Sequence, residues 1–271
     1  MTKKISLVTS TRADYGLLRK LILLLRKAPE FDLDLIVTGA HLSEKHGNTI
    51  SEILSDGINV DTQLDIQIDD SGPEGIVSTI AISLTKCERH FSRKKPELLI
   101  ILGDRFETVG FVIAASLLQI PIAHIHGGEL TEGLIDDAFR HSYTKFSHLH
   151  FVAADIYQKR VIQLGEMENR VFNVGGLGVD AISSLKLLTK KELAEALGLN
   201  ISETLIVATM HPLTLGKDRG LMEIRELLKA LQRFSKCTIV FTFPNADPGS
   251  DEFFKFLNEF VNKKSNVYIV S

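Results

Sequence analysis

Cysteine is scarce. The chain has two in 271 residues, Cys87 and Cys237, far apart and outside any Cys-x-x-Cys pair. That leaves no basis for a disulfide framework or a zinc ribbon, and it suits a reducing compartment, so a cytoplasmic location is expected. No apolar stretch approaches the ~20 uninterrupted residues a membrane span needs. The opening Met-Thr-Lys-Lys-Ile-Ser-Leu-Val-Thr-Ser is too short in apolar length for a signal peptide and reads as a first strand. Basic runs stop at the pairs Lys3-Lys4, Lys94-Lys95 and Lys190-Lys191, and 31 basic against 34 acidic residues give a net charge of −3. Neither nucleic acid nor a membrane is therefore expected as a partner. No repeat of solenoid period and no low-complexity segment is present. No zinc-type spacing with a third ligand stands out among the histidines, so no metal is expected.

What is present is ordinary globular composition, 44% hydrophobic and 24% charged. Short apolar runs alternate with amphipathic segments. Strands are expected at 5–9, 33–38, 98–102, 121–126, 148–152 and 171–174, and helices at 15–27, 49–54, 76–92, 106–118, 135–145 and 155–164. The run at 98–102 is apolar throughout, as it must be when both faces of a sheet are covered. The rhythm predicts an α/β fold of βαβ units around a parallel sheet. The glycine-rich stretch Asn173-Val174-Gly175-Gly176-Leu177-Gly178 reads as a linker. A second alternation follows, with helices at 190–197, 221–234 and 251–262 and strands at 205–210, 237–243 and 266–270. Two Rossmann-like domains are expected, 1–172 and 173–271. The second has three strands and no closing helix, so it is expected to be truncated.

In such sheets the loops at the carboxyl ends of strands build the ligand site. Ser10-Thr11-Arg12-Ala13-Asp14-Tyr15-Gly16 leads from the first strand into the first helix. Its free N–H groups and Arg12 suit an anion; the plainer reading is a strand–helix loop with Asp14 as cap. His41, in Gly39-Ala40-His41-Leu42, could donate to a phosphate or a sugar hydroxyl, or simply be solvated or bonded to backbone. Asp104, in Leu102-Gly103-Asp104-Arg105-Phe106-Glu107, is a catalytic carboxylate or a helix N-cap, readings that do not exclude each other. Glu129 closes His124-Ile125-His126-Gly127-Gly128-Glu129, whose glycines allow close backbone approach. Asp136 with Arg140, and Asp137 with His141, are i,i+4 pairs that could merely stabilise a helix. Convergence favours chemistry, because Asp104, Glu129 and Asp136 all fall on carboxyl-end loops of one sheet. Clustered carboxylates push one another's pKa up, which yields an acid and a base from one group type. His211, in Thr209-Met210-His211-Pro212, follows the first strand of the second unit. His148 and His150, at strand period two, are expected on one sheet face.

Taken together, these segments resemble the hydrolysing UDP-N-acetylglucosamine 2-epimerases, including those feeding sialic and legionaminic acid biosynthesis. The likeness is carried by Thr11-Arg12-Ala13-Asp14-Tyr15, Gly39-Ala40-His41-Leu42 with Gly47-Asn48-Thr49, Gly103-Asp104-Arg105-Phe106, His124 to Glu129, Ile135-Asp136-Asp137 with Arg140-His141, His211-Pro212, and Phe243-Pro244-Asn245-Ala246-Asp247 with Gly249-Ser250. The resemblance implies two Rossmann-like domains of the glycosyltransferase-B kind and a UDP-sugar substrate. It implies anti elimination of UDP to a glycal, addition of water and release of the free 2-epimer, without a metal or redox cofactor. It implies catalytic roles for Asp104, Asp136 and His211, a nucleotide contact from Arg12 and a substrate-side place for His41; Glu129 is a further catalytic candidate, and Arg105, His126 and Asn245 are further candidates for substrate binding. A homodimer or homotetramer is implied as well.

Two departures from the family pattern stand out. Many members carry Glu where this chain has His126, so either His126 replaces that group, or Glu129 takes its part, or the role is dispensable. The family's later Gly-Asn-Ser-Ser segment has no counterpart before Ser271. The competing readings are a non-hydrolysing 2-epimerase, a glycosyltransferase of the B type and a non-catalytic sugar-nucleotide binder.

Overall fold

The computed structural model describes residues 2–211, 218, 220–242 and 250–270, and the chain divides into two compact units, Met1–Leu185 and Lys186–Ser271. The first unit runs β1 (Lys3–Thr9), α1 (Arg12–Lys27), β2 (Phe31–Thr38), α2 (Ile50–Ser55), β3 (Thr62–Leu64), α3 (Pro73–Lys94), β4 (Leu98–Leu102), α4 (Val109–Leu117), β5 (Ile122–Ile125), α5 (Asp136–Phe146), β6 (Leu149–Val152), α6 (Asp155–Gln163), β7 (Val171–Asn173) and α7 (Leu177–Ser184). Its seven strands form one parallel sheet in the order β3-β2-β1-β4-β5-β6-β7.

Apolar residues fill both faces because successive side chains of a strand point opposite ways. Leu7, Leu35 and Val37 pack with Leu18 and Ile22 of α1 and Ile53 of α2. Their strand neighbours Val8 and Ile36 turn to the other face, where Leu99 and Ile101 meet Phe91 of α3, Phe111 of α4 and Tyr143 of α5.

The expected helix at 106–118 divides into a 3-10 turn, Phe106–Thr108, and α4. Two elements depart from expectation. β3 is a three-residue edge strand, Thr-Gln-Leu, with no apolar run to mark it. α7 lies in the stretch expected to be a linker; glycines at 175, 176 and 178 hide it. It packs on α1, with Lys20 Nζ donating to Asp180 at 2.8 Å and Leu177 against the core of the first unit. The expected boundary at 172–173 and the observed division at 185–186 thus differ by the segment that holds this helix. His148 precedes β6, is exposed, and accepts from the Ile122 N–H at 3.3 Å, whereas His150, two residues on, is fully buried.

The second unit has α8 (Lys190–Leu197), β8 (Leu205–Ala208), α9 (Leu221–Leu231), β9 (Thr238–Thr242), α10 (Ser250–Val261) and β10 (Val267–Val270). Its parallel sheet has the order β10-β9-β8 around Ile224, Leu228, Ile239, Phe241, Leu257 and Val267. No described helix is long and apolar enough to cross a membrane.

Candidate active site

β1 lies between β2 and β4, so the connections run away from it in opposite directions. Such a reversal opens a crevice beyond the carboxyl ends of the two strands. The turn after β1 and the turn after β4 flank it.

In the first turn the cap of α1 is Thr11, whose Oγ1 accepts from the Asp14 N–H at 3.2 Å. Asp14 is therefore not the cap. Its carboxylate reaches back to the Ser10 N–H at 3.3 Å and the Ser10 hydroxyl at 2.7 Å, a reciprocal arrangement that satisfies donors at the helix start. Arg12 is the first residue of α1; it is half-exposed and stands 4.0 Å from Glu52. His41 lies beneath the next turn. It is fully buried, with Nε2 3.0 Å from Thr9 Oγ1 and Nδ1 2.8 Å from Thr49 Oγ1. Burial pushes its pKa down to about 4, so it is neutral at physiological pH and staples the turn with both ring nitrogens.

Gly103 takes a left-handed φ of 69° straight after β4. Its carbonyl accepts from His124 Nε2 at 2.7 Å, and His124 is itself completely buried, with its pKa driven down to about 3 by burial. This neutral histidine holds the turn that presents Asp104. The Asp104 side chain is 14% exposed and pairs with Arg140 Nη2. Burial raises its carboxyl to about 6; Arg140 opposes that rise and the nearby Asp136 adds to it. Asp14 from the first turn adds a smaller push in the same direction. The next side chain, Arg105, is buried and forks onto Glu107, Nη2 to Oε1 at 3.0 Å and Nε to Oε2 at 3.3 Å. Glu107 has no exposure, and burial shifts its carboxyl upward against the pull of Arg105. The Arg105 carbonyl accepts from Tyr143 Oη at 2.6 Å and Thr108 Oγ1 at 2.8 Å, which ties the turn to α5.

The turn after β5 supplies the rest. Gly128, at φ 80°, sits where a Cβ would lie 2.6 Å from the Tyr157 carbonyl oxygen, so only glycine fits. His126 Nδ1 stands 3.2 Å from Glu129 Oε1. Arg140 of α5 gathers the site. Its side chain is only 9% exposed, and besides Asp104 it reaches Glu129 Oε2 at 3.5 Å, the His126 carbonyl at 2.8 Å and Thr131 Oγ1 at 3.4 Å. Burial pushes Glu129 up, but the His126 hydrogen bond and the charge of Arg140 outweigh it, leaving this carboxyl below its ordinary value. The same sheet edge thus holds a carboxyl poised near neutrality and another kept ionised, the contrast that assigns acid and base roles. Asp137 and His141 form the expected i,i+4 pair, at 3.7 Å.

The structure therefore brings Asp104, Glu129, Asp136, Arg105 and His126 to one edge of one sheet. It encloses His41 below that edge and leaves Arg12 half-exposed beside Glu52. His211 follows β8 in the second unit and is partly buried. Asn245 lies outside the described residues. Sequence reasoning treats Arg140 as a helix-stabilising partner of Asp136, and passes over His124 and Glu107 within the motifs that carry them. An arginine one turn after an acid at a helix start is the signal available; its reach to two other loops is not.

The fold is the α/β kind with a parallel sheet in each of two units, glycosyltransferase-B-like. The chain belongs to the UDP-N-acetylglucosamine 2-epimerase family, whose profile matches residues 24–271. It is similar to the GDP/UDP-N,N'-diacetylbacillosamine 2-epimerase (hydrolyzing) of Campylobacter jejuni, with 37% identity over 97% of this chain and 68% of that protein. It is 39% identical to polysialic acid biosynthesis protein P7 of Escherichia coli, over 99% of this chain and 69% of that one. Among solved structures, the UDP-GlcNAc 2-epimerase of Neisseria meningitidis bound to UDP-GlcNAc superposes with a TM-score of 0.81 at 19% identity, covering 99% of this chain and 72% of that chain, a likeness of fold.

Proposed function

We propose that this protein is a hydrolysing 2-epimerase of a UDP-N-acetylhexosamine, either UDP-N-acetylglucosamine or UDP-2,4-diacetamido-2,4,6-trideoxyhexose. The observation that carries this reading is the paired environment at the sheet edge, with Asp104 raised to about 6 and Glu129 lowered in reach of one arginine. Elimination needs a carboxylate to take the C2 proton. As it does, the C1–O bond to the diphosphate breaks, UDP leaves with the electron pair, and a C1=C2 double bond forms. In the second half water adds its oxygen to C1 and gives up a proton. C2 is then protonated from the opposite face, and the free 2-epimer is released. Asp104, Glu129 and Asp136 supply these proton transfers at a sheet edge where the first two are largely shielded from water. Arg12, Arg105, Asn245 and His211 act toward the diphosphate and sugar, where negative charge accumulates on the leaving group. His41 serves by holding the loop that borders the sugar.

The name of the similar Campylobacter protein supports hydrolysis, and that of the Escherichia coli protein a product of the type used for sialic acids. The same reading makes the protein a cytoplasmic homodimer or homotetramer; the two free cysteines suit that compartment. NMR of the reaction in heavy water tests the proposal. Free 2-epimer carrying deuterium at C2, with UDP, is the expected result. A UDP-linked epimer would reassign the protein to non-hydrolysing epimerases. Transfer to an acceptor would make it a glycosyltransferase, and UDP binding without turnover would make it a binder.

A further inference from the structure

His126 has a left-handed φ of 62°, a conformation a non-glycine residue adopts at a cost and holds where its surroundings demand it. It sits at the end of β5, and its carbonyl accepts from Arg140 Nη1 at 2.8 Å. The ring is bound on both edges. The Leu177 backbone N–H, at the start of α7, donates to Nε2 at 3.3 Å. Nε2 then offers its lone pair, so a neutral ring carries its proton on Nδ1. Nδ1 faces Glu129 Oε1 at 3.2 Å. The other Glu129 oxygen meets Arg140 at 3.5 Å, so the residue that receives Arg140 on its carbonyl also holds the carboxylate Arg140 touches.

We propose that His126 is a positioning residue, locked in the Nδ1–H tautomer by the Leu177 N–H, which aims Glu129 and transfers no proton itself. This deepens the 2-epimerase reading and rests on it for the role of Glu129. It also decides between the two candidates in this loop: Glu129 has the carboxylate, and His126 fixes its direction from the last helix of the first unit. The ring cannot turn to pick up a proton from substrate without breaking both contacts.

Long-range proton–nitrogen NMR on histidine-labelled protein reads the tautomer directly. The His126 signals, assigned by their loss in His126→Asn, should show a protonated Nδ1 and a bare Nε2; an unconstrained histidine favours the opposite form. The Nε2–H tautomer overturns the proposal. In kinetics, His126→Asn and His126→Gly should lower kcat about ten- to a hundredfold through misplacement of Glu129, with KM within about twofold. Asn and Gly both accept a positive φ, so their Tm should stay within a few degrees of native. Native kcat in His126→Asn, or a Tm that collapses along with kcat in His126→Gly, overturns it too. If the native protein releases no free sugar, the reading of its function fails, while the tautomer measurement still decides the geometry.

Discussion

Replacing Asp104 by asparagine gives the sharpest test of the site's electrostatics. The carboxyl titrates near 6 in the folded protein against an ordinary value of 3.8, because burial outweighs the pull of Arg140. At about 1.4 kcal/mol per unit, a shift of about two units corresponds to about 3 kcal/mol. The sign follows from proton binding. Between the two pKa values the folded state holds a proton that the unfolded state has lost, so stability falls as pH rises from about 4 to about 6 and levels off above. An asparagine at this position does not titrate and has no such dependence. The stability of the native protein minus that of Asp104→Asn should therefore drop by about 2.4 kcal/mol between pH 4 and pH 7. Glu107, raised, and Asp34, lowered, contribute to both proteins and cancel in the difference. Urea unfolding followed by tyrosine fluorescence measures it, since the chain has no tryptophan and three of its four tyrosines, Tyr15, Tyr143 and Tyr157, lie in the first unit. A difference that stays flat with pH, or grows as pH rises, would refute a desolvated Asp104. In turnover the same group should place an acid limb near pH 6 in kcat/KM, with about a tenth of the molecules still protonated at pH 7.

Arg140→Met should cost about 2–3 kcal/mol at pH 7 and abolish turnover, because the half-buried Asp104 and Glu129 would lose the guanidinium they share. Denaturant midpoints check it, and native stability in the variant would show that the guanidinium is dispensable. Gly128→Ala should lose about 3 kcal/mol, since the new methyl meets the Tyr157 carbonyl at 2.6 Å and Val161 Cγ2 at 2.9 Å at a φ of 80°. An alanine variant with an unchanged thermal midpoint would mean that α6 gives way freely.

Much of the first unit is legible in the sequence because its cause is local. The strand Leu98–Leu102 is apolar throughout, since helices cover both faces of the sheet, and its expected and observed bounds agree to the residue. The bounds of the helix Lys190–Leu197 agree to the residue too; its capping box, Thr189 with Glu192, and its closing Gly198 are written in the chain. β3 escapes a sequence reading because an edge strand of three residues needs only one neighbour and leaves no apolar signature. α7 escapes it because its hold on the fold is tertiary, through α1 and Leu177, in a stretch whose glycines argue locally for a turn. Of the candidate site residues, the carboxylates are legible as acids placed after apolar strands. His41 is legible as a residue and not as a role: a loop histidine and a sealed staple look the same in sequence, and only the enclosing Thr9 and Thr49 tell them apart.

The amino-acid sequence by itself determined the α/β alternation, the loops at strand ends and the family motifs, because periodicity, capping and turn chemistry act within a few residues. Only the tertiary structure decided which of those loops meet. Strand order placed β1 beside β4 and β4 beside β5, and that neighbourhood let Arg140 reach Asp104 and Glu129. Burial of those groups, a property of the packed chain, then set their protonation. Desolvation and charge pairing act through space, between residues distant along the chain, so no reading of neighbours in sequence could supply them.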